Sequence, residues 1–152
     1  MKIMKKTIFI DMDGVLVDFQ SGLAKFSKDI QDHDRKHPEE IQGLFAVADP
    51  IKGAIEAMHR LQDKFELFIL TTAPWYSPCA WGEKIIWVQM YLDEVFRKRV
   101  IMTHRKDLLK GDFLIDDRDR NGAAEFEGKL IAFGSEEFPD WDAVVDFLMT
   151  VE

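Results

Sequence analysis

Short runs of apolar residues alternate along the chain with longer segments in which apolar residues recur at helical spacing. A short continuous run is typical of a strand buried on both faces, and recurrence every three or four residues is typical of a helix. The strands predicted in this way are Thr7 to Ile10, Leu67 to Leu70, Val100 to Met102, Phe113 to Ile115, and Leu130 to Phe133. This alternation predicts an α/β fold, a Rossmann-like three-layer sandwich with a central parallel sheet, because crossovers between parallel strands are right-handed.

The segments between these strands predict helices. Val15 to Lys28 carries apolar residues at roughly helical spacing, and Asp49-Pro50 looks like an N-cap followed by proline at the first helical position. A third helical pattern runs from Glu83 to about Phe96, and Asp140 is the expected cap of a last helix. Residues 30–40 are polar and charged, which favours an insertion outside the core.

Composition and charge narrow the range of partners. The chain has 152 residues and a formal net charge of −8. Such a charge argues against binding to a nucleic-acid polymer or an anionic membrane, since that affinity comes mainly from Lys and Arg. An anionic substrate would need a local positive charge, for which a bound cation is the obvious candidate. The single cysteine, Cys79, and the absence of a stretch as long as a membrane span lead us to expect a cytoplasmic protein.

Polar side chains follow the predicted strands. Because ligands bind outside the carboxyl ends of strands in open α/β sheets, these side chains are expected to converge at one edge. Carboxylates of Asp11, Asp13 and Asp117 at this edge would repel one another, and a hard cation such as Mg²⁺ relieves that repulsion. An all-oxygen site also suits Mn²⁺. The polar residues concerned are Asp11, Asp13, Thr71, Thr72, Asp116 and Asp117, with Lys106 a few residues past the third strand.

These motifs carry a resemblance to a known superfamily. The four motifs of the haloacid dehalogenase (HAD) superfamily are matched in order and spacing by Asp11-Met-Asp-Gly-Val-Leu16, Leu70-Thr-Thr72, Lys106 and Leu114-Ile-Asp-Asp117. Within that superfamily, the chain looks most similar to the 5′(3′)-deoxyribonucleotidases. That closer similarity extends to Asp49-Pro-Ile-Lys-Gly-Ala54 and to Glu83-Lys84 with Trp87-Val88.

The resemblance implies a Mg²⁺-dependent phosphatase that passes through an aspartyl-phosphate intermediate. Asp11 would attack phosphorus, which divides hydrolysis into two easier steps. Asp13 would protonate the leaving alkoxide and then deprotonate the attacking water. Asp11, Asp117 and the backbone carbonyl of Asp13 would face the metal, with Asp116 in direct or water-mediated support.

The resemblance also implies contacts to the substrate. Thr71 and Lys106 would hold phosphate oxygens and offset their charge during transfer. Lys84 would add positive charge near the phosphate, although it could equally lie on an exposed helix face. Thr72 and Phe19 match substrate-contacting positions of the nucleotidase branch, but Phe19 could equally belong to the core.

In this superfamily, an insertion after the first motif forms a cap that helps to select the substrate. We expect a HAD-like core domain over residues 1–17 and 49–152 and a small helical cap over residues 18–48. A loop with Trp75, Tyr76 and Trp81 could form a wall for a base or sugar, or these rings could simply pack the loop. The expected partner is a small phosphorylated substrate, most simply a deoxynucleoside monophosphate. Another phosphorylated metabolite, and a non-catalytic phosphate- or metal-binding module, remain as alternatives. A cap this short leaves an open site that a second subunit of a homodimer could close.

Overall fold

A five-stranded parallel sheet forms the centre of the computed structural model, which describes residues 4–152. The strands in chain order are β1 (Thr7–Ile10), β2 (Val17–Asp18), β3 (Asp49–Pro50), β4 (Glu66–Thr71), β5 (Val100–Met102), β6 (Phe113–Asp116) and β7 (Lys129–Ala132). The order in the central sheet is β5-β4-β1-β6-β7, and every neighbouring pair in it is parallel. β2 and β3 form a separate antiparallel pair.

Helices cover the sheet. They are α1 (Phe19–Ala24), α2 (Lys28–His33), α3 (Leu44–Val47), α4 (Ala54–Leu61), α5 (Pro78–Tyr91), α6 (Asp93–Phe96) and α7 (Trp141–Met149), with short 3₁₀ turns at Pro38–Glu40 and Lys106–Leu108. Ile8 and Ile10 of β1 are buried in one apolar cluster, and Phe9 is buried in another. The predicted α/β sandwich is confirmed, and burial on both faces explains the continuous apolar runs. Over residues 4–152, no helix has both the length and the apolar character to cross a membrane.

The predicted helix after Asp49-Pro50 is present, but its predicted start at these two residues is wrong. These residues form β3, which pairs with β2, and α4 begins only at Ala54. Gly53 precedes α4 with a φ of 81°, a left-handed conformation that glycine adopts without strain. The Asp49 carboxylate accepts a hydrogen bond from Lys25 and caps no helix. An Asp-Pro pair favours a helix start locally, but here a strand partner from a distant part of the chain determines the outcome.

The predicted continuous helix from Val15 to Lys28 is also wrong. The carbonyl of Met12 accepts hydrogen bonds from three successive backbone N–H groups, which closes a tight turn before β2. Helix α1 begins only at Phe19, where the Asp18 carboxylate caps it by accepting a hydrogen bond from the backbone N–H of Ser21. The apolar residues of the turn are buried in the core, and their spacing therefore imitated a helix face.

Helix α5 begins earlier than predicted. Its first residue is Pro78, a favoured residue at a helix start, and it ends at Tyr91 before the separate α6. The polar stretch from residue 30 to 40 contains the end of α2 and a 3₁₀ turn. Beyond it, Leu44 and Phe45 of α3 pack in a small apolar cluster with Ala80 of α5. The segment between β2 and β3 therefore rests on the first half of α5.

Two buried tryptophans fix segments on either side of this insertion. The indole N–H of Trp87 in α5 donates to the carbonyl of Ala48, at a distance of 2.9 Å. The indole N–H of Trp141 in α7 donates to the carbonyl of Val15, at 2.8 Å. Both side chains are buried, so these bonds hold the turn after β1 and the return into β3 against the helices.

Candidate active site

The loop after β1 places Asp11 at the carboxyl edge of the sheet. The backbone N–H of Asp11 donates to the carbonyl of Ile115 in β6, at 2.9 Å. Gly14 has a φ of 77°, and a Cβ at this position would overlap the carboxylate of Asp117. Only glycine fits this conformation and this space without displacement. The turn therefore brings Asp11 next to the residues that follow β6.

Three carboxylates and a lysine lie together at this edge. Oxygen atoms of Asp11, Asp116 and Asp117 lie within 4.8 Å of one another. The Nζ of Lys106 lies 3.2 Å from Oδ1 of Asp11 and 2.5 Å from Oδ2 of Asp116. Lys106 and Asp116 are each 3% exposed, so solvent ions screen this ion pair weakly. Residues from three separate predicted motifs therefore form one cluster.

Burial and crowding shift the protonation equilibria of the cluster. Burial raises the pKa of Asp11 to about 7; Lys106 opposes this effect and Asp116 adds to it. Burial, followed by the charge of Asp11, raises the pKa of Asp117. Burial lowers the pKa of Lys106, but its attraction to Asp11 and Asp116 outweighs that effect and the pKa is raised. Lys106 thus pairs with two carboxylates, Asp11 and Asp116, and the ionised forms of neighbouring carboxylates repel one another.

This donor set fits a hard divalent cation. Mg²⁺ prefers carboxylate oxygens together with water and phosphate, and Asp11, Asp116 and Asp117 offer such oxygens at suitable spacing. The side chain of Asp13 takes no part in this group, because its Oδ2 pairs with Lys84 at 2.7 Å. The backbone carbonyl of Asp13 is the donor that the resemblance implies for this residue.

Lys84 is a buried residue that contacts Asp13 and Thr71 beside the cluster, so the alternative of an exposed helix position is wrong. Its side chain has no exposed surface. Its Nζ donates to Oδ2 of Asp13 at 2.7 Å and to Oγ1 of Thr71 at 3.2 Å. The ring of Phe45 covers the ammonium group, with its centroid 4.6 Å from Nζ. Lys84 therefore joins the turn after β1 to the end of β4.

The two remaining predicted residues lie at the margin of this site. The hydroxyl of Thr72 donates to the carbonyl of Thr103 at 2.7 Å, which ties the end of β4 to the loop after β5. Phe19 is half-buried, and its ring centroid lies 5.8 Å from that of Phe45. The packing of Phe19 agrees with the core alternative, and the predicted substrate contacts of Thr72 and Phe19 stay predictions.

The aromatic loop after β4 is partly open to solvent. Trp75 is 70% and Tyr76 is 84% exposed, whereas the indole N–H of Trp81 donates to the carbonyl of Pro74. His104 lies between the two tryptophans, with ring centroids 6.0 Å from Trp75 and 6.1 Å from Trp81. Trp81 belongs to the beginning of α5 and not to the loop, which it anchors, and most of the surface of Trp75 and Tyr76 is accessible to a ligand.

Two features of the site have no counterpart in the sequence-based prediction. Phe45, the ring over Lys84, lies in the insertion, where nothing in the apolar pattern distinguishes it. The backbone N–H of Lys106 donates to the carbonyl of Asn121 at 2.7 Å, and a Cβ on Gly122 would lie 3.0 Å from that nitrogen. The left-handed Asn121-Gly122 pair is a turn signal that could have indicated this close approach.

A cleft of about 630 Å³ lies beside Asp116 and Asp117, with Arg118 and Arg120 on its wall. It offers space next to the carboxylates, and its lining carries charges of both signs because Asp119 stands between the two arginines in sequence.

Two solved structures with this architecture are described as a HAD-superfamily hydrolase and a "putative HAD-hydrolase". A HAD-superfamily hydrolase of subfamily IA from Geobacter sulfurreducens superimposes with a TM-score of 0.67, at 14% identity and over 95% of this chain and 96% of that one. YfnB from Bacillus subtilis, in a structure bound to magnesium, superimposes with a TM-score of 0.62, at 13% identity and over 91% and 90% of the two chains. At these identities the likeness shows the fold.

Sequence comparison identifies the family. Residues 37–139 match the model described as "5' nucleotidase, deoxy (Pyrimidine), cytosolic type C protein". A protein of Vibrio phage KVP40 named "Putative 5'(3')-deoxyribonucleotidase" is 47% identical, over 95% of this chain and 85% of its own. The 5′(3′)-deoxyribonucleotidase of Bacillus subtilis is 30% identical over 86% of each chain, and the human cytosolic type is 29% identical over 91% of this chain and 78% of its own. The chain belongs to the 5′(3′)-deoxyribonucleotidase family, as the motifs predicted, and is a HAD-type phosphoric monoester hydrolase.

Proposed function

We propose that this protein hydrolyses deoxynucleoside monophosphates through an aspartyl-phosphate on Asp11, with Mg²⁺ as the cofactor. One observation carries this proposal: the Asp11 carboxylate is buried at the sheet edge, 3.2 Å from Lys106, with carboxylate oxygens of Asp116 and Asp117 beside it. The names of the relatives from Bacillus subtilis and human cytosol support the substrate class.

In the proposed first step, an oxygen of Asp11 attacks phosphorus and the bond from phosphorus to the nucleoside oxygen breaks. Asp13 gives its proton to that oxygen, so the nucleoside leaves as an alcohol. In the second step, the Asp13 carboxylate takes a proton from water. The water oxygen attacks phosphorus, the acyl-phosphate bond breaks, and inorganic phosphate leaves with the Asp11 carboxylate restored.

The cationic side chains support the phosphoryl group in this proposal. Lys106 and Thr71 hold phosphate oxygens, and Lys84 adds positive charge from its position between Asp13 and Thr71. Asp11, Asp116 and the more exposed Asp117 would hold Mg²⁺, as would the Asp13 carbonyl. When bound, the cation supplies charge that offsets both the carboxylates and the phosphate oxygens.

The insertion and the aromatic loop provide the nucleoside side of the proposed site. Residues 18–48 act as a small cap on the core formed by residues 1–17 and 49–152, of which residues 1–3 lie outside the described part. Trp75 and Tyr76 offer exposed rings for a base, and Phe19 and Thr72 are the other two residues assigned to the substrate. We further propose a cytoplasmic location, where such a nucleotide pool is found.

A substrate panel tests this proposal. Phosphate release is measured from deoxynucleoside and ribonucleoside 5′- and 3′-monophosphates and from sugar phosphates, with Mg²⁺ and with chelator. Asp11→Asn removes the nucleophile at nearly constant size, and Asp63→Asn is the matched control at an exposed position. Selective Mg²⁺-dependent hydrolysis of deoxynucleotides, lost only in Asp11→Asn, is expected.

The other outcomes are equally informative. Hydrolysis of sugar phosphates alone would support the proposed phosphatase mechanism but would overturn the proposal that deoxynucleotides are the substrates. No hydrolysis of any ester by the folded, Mg²⁺-bound protein would favour a non-catalytic phosphate-binding role.

A further inference from the structure

Glu83 is a buried carboxylate that belongs to none of the catalytic motifs. It precedes Lys84 in α5 and is 8% exposed. Its Oε1 accepts a hydrogen bond from the backbone N–H of Gly43, at 2.6 Å. Its Oε2 is buried and has no hydrogen-bond partner among residues 4–152. A buried carboxylate with one unsatisfied oxygen lowers the stability of the fold. The presence of Glu83 at this position therefore needs an explanation, and its hydrogen bond with Gly43 is the place to look for one.

The bond from Gly43 fixes the beginning of α3. Gly43 is the residue before α3 and has a φ of 91°, and no side chain caps this helix locally. A helix of four residues has little intrinsic stability, so its position depends on contacts to the rest of the fold. Glu83 reaches this N-terminus from α5, where a negative charge is also favourable for the helix dipole.

Helix α3 in turn carries the ring that covers Lys84. Phe45 is 3% exposed and lies with its ring centroid 4.6 Å from the Nζ of Lys84. With water excluded on this side, the bonds of Lys84 to Asp13 and Thr71 lie in a medium of low dielectric, where they are stronger. A continuous set of contacts therefore leads from Glu83, through α3, to the residue proposed as the general acid.

We propose that Glu83 is a positioning residue that holds the insertion in place. In this position, Phe45 shields the ammonium group of Lys84 from water and keeps it hydrogen-bonded to Asp13 and Thr71. The inference rests on the proposed function, because its consequence is a loss in the phosphoryl-transfer steps. Since Lys84 serves the phosphate end of any ester, a nucleotide and a small aryl phosphate should be affected alike.

The test compares Glu83→Ala, which removes the acceptor, with Glu83→Gln, whose amide oxygen can still accept the Gly43 hydrogen bond. Lys25→Gln is the matched control, since Lys25 donates to Val47 and Asp49 at the other end of α3 and makes no contact with Lys84. For each variant, kcat and KM are measured with a deoxynucleoside monophosphate and with p-nitrophenyl phosphate. Hydrogen–deuterium exchange over residues 43–48 reports the insertion without requiring turnover.

We expect Glu83→Ala to lower kcat roughly tenfold for both substrates. A loss of this size is typical when a residue that orients a functional group, without touching the substrate itself, is removed. Its amide exchange over residues 43–48 should rise, Glu83→Gln should restore both properties to near wild type, and Lys25→Gln should keep wild-type kcat. A double variant, Glu83→Ala with Phe45→Leu, should lose no more than the worse single variant.

Three results would overturn the positioning role. They are an unchanged kcat in Glu83→Ala despite faster exchange, a rise in KM confined to the nucleotide, and a Glu83→Gln variant that is folded but as impaired as Glu83→Ala. If the wild-type protein hydrolyses neither substrate, the proposed function fails by itself. Amide exchange over residues 43–48 then still tests whether the hydrogen bond between Glu83 and Gly43 holds the insertion. Unchanged exchange in Glu83→Ala would overturn this role, and faster exchange would support it.

Discussion

The carboxylate of Asp117 occupies the space that a Cβ at Gly14 would need. The turn after β1 and the residues after β6 can approach so closely only because position 14 has no side chain. The same glycine has a φ of 77°. Position 14 therefore needs glycine for two reasons: the left-handed backbone conformation and the lack of space for a side chain.

Gly14→Ala should therefore lower both stability and cation affinity. Strain at positive φ costs about 1–2 kcal/mol, and the displaced Asp117 carboxylate should weaken Mg²⁺ binding. Thermal unfolding and a Mg²⁺ titration measure the two effects. Gly134→Ala is the control for backbone strain alone, because Gly134 has a φ of 87° but nothing within 4 Å of an added Cβ. Equal Mg²⁺ affinities in the two variants would contradict the role of the overlap.

The stability of the metal-free protein should depend on pH through Asp11. Burial raises the pKa of Asp11 from its ordinary value of 3.8 to about 7, so the native state keeps a proton that the unfolded chain loses. The native state is thus destabilised as pH rises from about 4 to about 7, because the unfolded chain releases this proton first. In chelator, Asp11→Asn should therefore unfold at a higher temperature than wild type at pH 8, with a smaller difference at pH 5. A difference independent of pH would contradict the raised pKa of Asp11.

Lys84→Met should reduce kcat by at least about a hundredfold while leaving the protein folded. Methionine fills the same space beneath Phe45, and Asp13 can be solvated because a third of its side chain (33%) is exposed. The expected loss follows from removing a charge that contacts both Asp13 and Thr71. Steady-state kinetics measures the loss in kcat, and circular dichroism shows whether the variant is folded. Lys64→Met, at a half-buried lysine remote from the cluster, should retain kcat.

Trp75→Ala should raise KM for a deoxynucleotide by about five- to tenfold, as expected where one base loses an aromatic stacking partner. Because Trp75 is 70% exposed, its removal should change the unfolding temperature little. The same variant should keep its KM for p-nitrophenyl phosphate, which extends less far from the phosphate. An unchanged KM for the nucleotide would remove Trp75 from the proposed base-binding wall.

The five strands of the central sheet and the last helix could be predicted because their signals are local. Val100–Met102 has the predicted bounds, and Asp140 caps α7 by accepting a hydrogen bond from Ala143. Each of these elements is defined by its own residues: a continuous apolar run, or a capping side chain before an apolar face.

The wrong predictions share a dependence on distant partners. Asp49-Pro50 has the local chemistry of a helix start, but pairing with Val17 and Asp18 makes it a strand. The buried turn after Met12 imitates a helix face, because its apolar residues pack against the core while one carbonyl binds three N–H groups. A short window of sequence shows neither which distant segment will pair with a strand nor which side chains of a turn will face the core.

For the site, the motifs were sufficient to name the cluster but not its surroundings. Asp11, Asp116 and Lys106 were predicted from strand ends and resemblance, and they lie together. The burial of Lys84 could not be foreseen, since it depends on Phe45 in the insertion. Side chains that cover a site are selected by shape, which leaves little trace in the apolar pattern.

The hydrogen bond from the indole of Trp141 to the carbonyl of Val15 has a consequence for biosynthesis. It joins positions 126 residues apart, and Val15 lies in the turn that forms the second half of the Asp11 motif. During translation, the earliest motif leaves the ribosome long before α7 is made. The nascent chain can therefore pair β1 with β4 and β6 while this turn still lacks its anchor, so we expect phosphatase competence to arise late in synthesis, after the core sheet is assembled.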